Sequence, residues 1–119
     1  MTRRMSCSMT IEAVRDRTKT VTRRHVDTWK TLKPGDRLTL IEKGMGLAKG
    51  EKQVVLAEVE IVHVDVEAIG RVDFEEATAE GFPFMDGPTF VEFWLRGHGY
   101  KAGTPWETQC RRIEWRYLP

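Results

Sequence analysis

The strongest constraint on the fold is the apolar pattern of residues 53–66. Val59 and Ile61 stand at odd-numbered positions, each preceded by a glutamate. Val62 and Val64 stand at even-numbered positions instead. Successive side chains of a β-strand point to opposite faces of the sheet, so the apolar phase slips between Ile61 and Val62. A β-bulge there keeps both apolar sets on the core side. The segment therefore predicts a long, bulged strand in a small, strongly curved sheet.

Short elements are predicted on both sides of this strand. Further strands are expected at 3–7, 19–24, 37–42 and 113–117, and short helices at 8–16, 73–81 and 88–97. Asp73 is expected to cap the second helix, with Glu76 reaching back to it in a capping box. Together these elements predict an α+β fold, in which five to six mostly antiparallel strands form a small curved barrel with short flanking helices.

The composition excludes several classes of protein. The chain has 119 residues, 40% apolar and 31% charged, which is typical of one globular domain spanning residues 1–119. No apolar run approaches the roughly 20 residues of a membrane helix, and the N-terminus lacks the apolar stretch of a signal peptide. Cys7 and Cys110 lie far apart, which argues against a disulfide scaffold or a zinc finger. We therefore expect a cytoplasmic protein that makes no contact with membranes.

Charge is distributed unevenly along the chain. Residues 1–24 carry seven basic and two acidic side chains, residues 58–92 carry one and ten, and residues 93–119 carry five and two. The two basic segments would form one positive face if the fold brought them together. On charge alone, an ordinary solvated surface is the simpler interpretation.

The sequence lacks the common motifs for metals and cofactors. His25, His63 and His98 are far apart, and none has a metal-site partner at the usual spacing. There is no Walker loop, no GxGxxG fingerprint and no GxSxG nucleophile elbow. Cys7 beside a strand is more typical of a small buried hydrophobe than of a nucleophile. We therefore expect neither a metal nor a cofactor.

The segment 19–24 is the best candidate for chemistry. Its basic and hydroxyl side chains offer hydrogen-bond donors to a phosphate or a polar base. A lysine near a threonine would also activate the hydroxyl as a nucleophile, provided that burial lowers the lysine pKa. The alternative is a solvated edge strand whose charges prevent aggregation, and residue types alone favour that alternative.

A family resemblance changes this weighting. The motif Lys19-Thr20-x-Thr22-x-Arg24 follows a helix and precedes Lys33-Pro34-Gly35-Asp36 and a strand, and this order resembles the ASCH domain, a PUA-like fold. Glu80-Gly81-Phe82 and the closing segment Arg112-Ile113-Glu114-Trp115 are similar to segments of that family, so the resemblance covers about residues 6–117. One position departs from it, because Arg17 stands where the family usually has glycine. A left-handed backbone there would cost about 1–2 kcal/mol.

The resemblance implies a pocket that faces RNA, a nucleotide or a nucleoside. One bacterial branch of the family hydrolyses the acetyl amide of N(4)-acetylcytidine with a lysine, a threonine and a glutamate, which fall here on Lys19, Thr22 and Glu80. Thr22 would then be the nucleophile, Lys19 the base, and Glu80 the group that orients the lysine or protonates the leaving amine. Arg24 would bind a phosphate or a carbonyl oxygen, or stabilise the oxyanion. Lys19 and Thr22 have opposite strand parity, so they share a pocket only if Lys19 precedes the strand or the strand bends.

Two alternatives remain open. Other branches of the family resemble single-stranded RNA binders or ribonucleases, in which arginines contact phosphates and a loop tryptophan stacks on a base. The acidic block 58–92 instead favours a non-catalytic protein-interaction domain, because it would repel nucleic acid unless it faced away. In every case we expect a monomer or a weak dimer, with Trp94 and Trp115 in the core. The substrate or RNA contacts would be Thr20, Arg23, Arg24, Trp29, Trp106, Arg111 and Arg112.

Overall fold

The computed structural model describes residues 3–44 and 48–119, which form five strands and three short helices. None of the helices in these two segments reaches the length and apolarity that a membrane span needs. The strands are β1 (Arg3–Ser6), β2 (Val21–His25), β3 (Arg37–Ile41), β4 (Val55–Ala68) and β5 (Gln109–Tyr117). The helices are α1 (Ile11–Arg15), α2 (Phe74–Ala79) and α3 (Gly87–Gly97), with a 3-10 turn at Ile69–Arg71.

The five strands form one sheet in the order β1-β3-β4-β5-β2. β1 pairs with β3 in parallel, and every other pairing is antiparallel. The sheet curls into a half-barrel with the helices on its flanks, which confirms the predicted α+β class and the mostly antiparallel curved sheet. β2 and β5 lie side by side, so the basic N-terminal and C-terminal segments become neighbours.

The predicted bulge lies in β4. Ile61 pairs with Trp115 and His63 with Glu114, so Val62 is the extra residue without a partner. The slip brings Val64 back against the core, as predicted. Val62 remains 39% exposed and Val66 41%, so the expectation that they also face the core is wrong. For Val62 the reason is its place in the bulge, outside the ladder.

Several element boundaries differ from the prediction, and the starts of two strands show why. β2 begins at Val21 rather than at position 19, because the Lys19 side chain is buried before the strand starts. β5 begins at Gln109 rather than at position 113, because Gln109 and its neighbours pair with the end of β4. That pairing is long-range, and the polar sequence there gives no strand pattern.

The helix caps agree with the prediction, with one exception. The Asp73 carboxylate accepts a hydrogen bond from the Glu76 backbone amide at 2.8 Å, and Asp86 caps α3 in the same way. Glu76 does not complete a capping box. Its carboxylate instead accepts hydrogen bonds from Arg23 and Arg112, since two guanidinium groups are stronger partners than one amide.

The buried side chains form two clusters. Trp115 belongs to the first, between the sheet and α1, and Trp94 to the second, beneath α2 and α3, so both tryptophans are core residues as predicted. Cys7 is buried in the first cluster and Cys110 in the second. Burial raises the pKa of the Cys7 thiol and raises that of Cys110 to about 12, so both thiols are protonated at neutral pH.

Candidate functional site

A cavity of about 290 Å³ lies where the two apolar clusters meet, between the end of β1, β2 and α3. This volume is at the lower end of small-molecule sites, so the cavity suits one compact ligand. Its lining is partly polar and partly aromatic. The polar lining includes Lys19, Thr22, Arg23, Arg24 and Glu80, and the aromatic lining includes Phe82, Phe90, Phe93, Trp94 and His98.

The junction between α1 and β2 directs Lys19 into this cavity. Arg17 has a φ of 66°, so its backbone is in the left-handed region that glycine adopts most easily. Its guanidinium lies 5.5 Å from the centre of the Tyr117 ring, a cation–π contact that offsets part of the strain. The Lys19 amide then donates to the Ala13 carbonyl at 3.0 Å, which closes the turn. Lys19 therefore precedes the strand, and the parity conflict with Thr22 does not arise.

The Lys19 amine is buried beside Glu80. Its Nζ donates to the Glu80 carbonyl oxygen at 2.6 Å and lies 3.4 Å from Oε1 of the same residue. Each side chain is only 4% exposed. Burial lowers the pKa of Lys19, and the Glu80 carboxylate opposes that effect without cancelling it. The amine therefore loses its proton more easily than a surface lysine does.

Close backbone packing fixes the position of Glu80. Gly81 follows it with a φ of 103°, and a Cβ atom at Gly81 would lie 2.8 Å from Cγ2 of Thr10. Glycine is required here both for the left-handed turn and for the close approach of α2 to α1. Glu80 thus caps the C-terminus of α2 and faces inward, where Oε2 accepts from Arg23 Nη1 at 3.0 Å.

Arg23 connects this site to three acidic residues. Its side chain is 1% exposed, and its Nε and Nη2 atoms donate to Glu67 Oε2 at 3.2 and 3.1 Å. Nη2 also donates to Glu76, which accepts from Arg112 Nε at 2.7 Å. The hydrogen bond from Arg112 is the largest influence on Glu76; with Arg23 it outweighs burial and lowers the Glu76 pKa to about 2. The guanidinium of Arg23 therefore lies within the protein and not on its surface.

Thr22 and Arg24 form another part of the polar wall. Thr22 is buried in β2 opposite Ile113. Arg24 Nε donates to the Thr22 hydroxyl oxygen at 3.3 Å, and Arg24 Nη2 donates to the Ser6 carbonyl at 2.7 Å. Within residues 3–44 and 48–119, no carboxylate lies within salt-bridge distance of Arg24. Arg24 is thus an uncompensated positive charge next to a buried hydroxyl.

Five of the residues expected to contact substrate or RNA lie outside the cavity lining. Thr20 joins α2 to β5 through its backbone, and Arg111 donates to the Val26 carbonyl at 2.8 Å. Trp106 donates to Glu92 at 3.0 Å. The remaining two are Trp29, which packs against the first core cluster, and Arg112, which binds Glu76 and Glu114. The structure therefore brings together Lys19, Thr22, Arg23, Arg24 and Glu80 but not the other five.

Several residues at the site do not follow from the sequence patterns. Trp94 was expected in the core, where it is, but one side of it also lines the cavity. His98 stacks on Trp94 with ring centres 4.0 Å apart, and its Nδ1 lies 2.8 Å from the Trp94 carbonyl. Glu67 approaches Arg23 from the far strand β4. These are long-range contacts, and only the His98 and Trp94 spacing on one helix face would have suggested a pair.

Other chemistries find less support in these residues. Within the two described segments, no three or more histidine, cysteine or acidic side chains are grouped to hold a metal ion. Cys7 lines the cavity, but burial raises its pKa and keeps the thiol protonated. A protonated thiol is a poor nucleophile, so a thiolate mechanism has no support at Cys7.

Known structures resemble this fold, although no protein-family model matches the chain and no curated protein matches it significantly. The hypothetical protein PH0355 is 17% identical, with a TM-score of 0.65 over 99% of this chain and 100% of that one. Protein EF3133 from Enterococcus faecalis V583, assigned to DUF984, is 16% identical, with a TM-score of 0.60 over 91% of this chain and 66% of its own. An ASCH domain from Lactobacillus crispatus JV V101 is 10% identical, with a TM-score of 0.60 over 97% and 79%.

At these identities the likeness concerns the fold alone. The chain shares its fold with this ASCH domain, a member of the family that its sequence motifs resemble.

Proposed function

We propose that this ASCH-fold chain hydrolyses the acyl amide on the exocyclic amine of a modified cytidine, such as N(4)-acetylcytidine. The observation that supports this proposal is the convergence of Lys19, Thr22 and Glu80 on one cavity, although 61 positions separate the first from the last. A base, a hydroxyl nucleophile and an orienting carboxylate are the groups that amide hydrolysis through an acyl-enzyme requires. The aromatic side chains of the lining offer a surface for a flat base.

The first half of the reaction forms an ester on Thr22. The neutral Lys19 amine accepts the Thr22 hydroxyl proton while Oγ1 attacks the acyl carbonyl carbon. The oxyanion that develops lies toward Arg24, whose guanidinium already contacts Oγ1. The C–N bond then breaks, and the Lys19 ammonium returns its proton to the leaving amine of cytidine.

The second half releases the acyl group. Lys19 is neutral again and accepts a proton from water, which attacks the ester carbonyl. The Thr22 oxygen leaves and recovers its proton from the Lys19 ammonium, and the acid departs as a carboxylate. Glu80 holds the lysine in place through both steps, since its backbone oxygen and its carboxylate both contact Nζ.

Charge favours a small neutral substrate over a long RNA. Of the basic residues in the cavity lining, Lys19 and Arg23 face internal carboxylates, and Arg24 alone has no such partner in the described residues. Phosphodiester binding usually depends on several free cations along a surface. One uncompensated guanidinium is instead suited to a single oxyanion.

The proposal is tested by incubating the purified protein with N(4)-acetylcytidine and measuring free cytidine by chromatography. We expect turnover, a loss of about 10³-fold or more in kcat/KM for Thr22→Ala, and a loss of about 10²-fold or more for Lys19→Met. Thr39→Ala is the matched control, because Thr39 is another buried strand threonine that lies outside the cavity. No turnover above buffer with several acylated nucleosides would refute the proposal.

A second candidate function is the binding or cleavage of single-stranded RNA, in which a single backbone phosphate would take the place of the oxyanion beside Arg24. Short RNA would then bind with an affinity that falls steeply with salt and that Arg24→Gln weakens. Absence of binding at low salt would leave the amidohydrolase as the better account.

A further inference from the structure

We propose that Arg23 is a positioning residue for the Lys19–Glu80 pair, and that Glu67, outside the cavity, tunes this pair through Arg23. The inference rests on the proposed function, because it assigns the pair a role in turnover. Glu67, on β4, contacts Arg23 across the second core cluster and is not part of the cavity lining.

The geometry of Arg23 supports positioning rather than ligand binding. Its Nη1 donates to Glu80 Oε2, and its Nε and Nη2 atoms donate to Glu67 Oε2. The planar guanidinium therefore bridges the two carboxylates and restricts the rotamer of Glu80. With the side chain 1% exposed, its donors are directed to the protein and are not available to an incoming phosphate.

The charged and titratable groups around this pair come from every neighbouring element. Lys19 faces Glu80 at the end of α2, the Cys7 thiol after β1, and Arg24 on β2. Arg23 faces the carboxylates of Glu80, Glu67 on β4 and Glu76 on α2, and also the thiol of Cys110. Glu76 in turn binds Arg112 of β5.

This arrangement determines in which direction a loss of charge at Glu67 changes the protonation of Lys19. Glu67 accepts hydrogen bonds from Nε and Nη2 of Arg23 and neutralises part of the Arg23 charge. If Glu67 loses its charge, the positive potential of Arg23 acts more strongly on the lysine and disfavours its ammonium form. Replacing Glu67 with glutamine therefore makes Lys19 easier to deprotonate, although the two side chains do not touch.

The experiment is a pH titration of Lys19 by NMR in protein labelled at the lysine ε-carbons, with Lys19→Met identifying the resonance. We expect Glu67→Gln to lower the Lys19 midpoint by about 0.5 to 1 pH unit, the scale of the loss of one partly screened charge in a protein. Glu60→Gln is the matched control, because Glu60 lies on the same strand and binds only Arg116 in the described residues. The acidic limb of the kcat/KM profile with N(4)-acetylcytidine is expected to move with the midpoint.

The outcomes separate this inference from the proposed function. A Lys19 midpoint that Glu67→Gln leaves in place, or raises, overturns the inference even if the enzyme turns over. A lowered midpoint in a protein without turnover supports the coupling while the amidohydrolase proposal fails. Arg23→Lys, if it folds, is expected to lower kcat at least 10-fold with little change in KM, because lysine cannot bridge both carboxylates.

Discussion

The Glu76 carboxylate lies between the guanidinium groups of Arg112 on β5 and Arg23 on β2. Hydrogen bonds to charged donors stabilise the ionised carboxylate, and this lowers its pKa from 4.5 to about 2. A carboxylate with a lowered folded pKa contributes stability above its unfolded pKa and loses it as the pH falls toward the folded one. The stabilisation by Glu76 is therefore complete above about pH 4.5 and disappears toward pH 2.

Glu76→Gln is expected to lower the free energy of unfolding at pH 7 by about 1–2 kcal/mol, a value reduced for the partial exposure of the side chain. At pH 3 the difference between the variant and the wild type becomes smaller. Urea denaturation at the two pH values measures both quantities. Glu75→Gln is the control, as an exposed carboxylate in the same helix turn without an ion pair among the described residues. Equal differences at the two pH values would contradict this role for Glu76.

Individual residues differ in how far their roles follow from the sequence. Lys19, Thr22 and Glu80 were candidates because their types and order match a motif, and the structure places them around one cavity. Glu76 was assigned to a cap, since local sequence shows the helix start but not the arginines that approach from other strands. Glu67 was not predicted at all, for the same reason.

The turn between α1 and β2 shows how an element boundary positions a functional side chain. Arg17 adopts a left-handed conformation, and this turn ends α1 and lets Lys19 enter the interior before β2 begins. The sequence indicated only what this conformation would cost at Arg17 and did not predict that Arg17 adopts it. The cation–π contact with Tyr117 was not predicted either, because nothing local brings residue 117 close to residue 17.

A comparison of Arg17→Gly with Arg17→Ala measures the backbone strain at position 17 separately from the contact with Tyr117. Both variants lose the contact with Tyr117, but only glycine adopts the left-handed conformation without a Cβ clash. We expect Arg17→Gly to be more stable than Arg17→Ala by about 1 kcal/mol in chemical denaturation, after allowing for the larger unfolded-state entropy of glycine. An alanine variant as stable as the glycine variant would show that the turn stores no such strain.

Among the elements, the bulge of β4 was predicted and the start of β5 was not. The phase slip at Ile61 and Val62 was sufficient to locate a bulge, because alternation on a strand is a local property. The start of β5 at Gln109 depends on pairing with Ala68, which no local pattern reveals.

The order of the strands in the sheet determines which of the unevenly distributed charges become neighbours. β2 and β5 place Arg23 opposite Arg112 and Arg24 opposite Arg111, so the two basic segments do come together. Like charges directly opposite one another are destabilising. Glu67 and Glu76, from the acidic block 58–92, lie against these arginines, so much of the expected positive face becomes a partly buried ionic network. Arg24 keeps its charge at the cavity, beside the Thr22 hydroxyl.

The most direct test of the account is to trap the acyl-enzyme. The protein is mixed with an excess of N(4)-acetylcytidine, quenched in acid, digested and mapped by mass spectrometry, with Thr22→Ala and Thr39→Ala treated in parallel. The account predicts one acetyl group on the peptide that contains Thr22, in the wild type and in Thr39→Ala but not in Thr22→Ala. Release of cytidine at an undiminished rate by Thr22→Ala, with no acetyl group on the Thr22 peptide of the wild type, would contradict it.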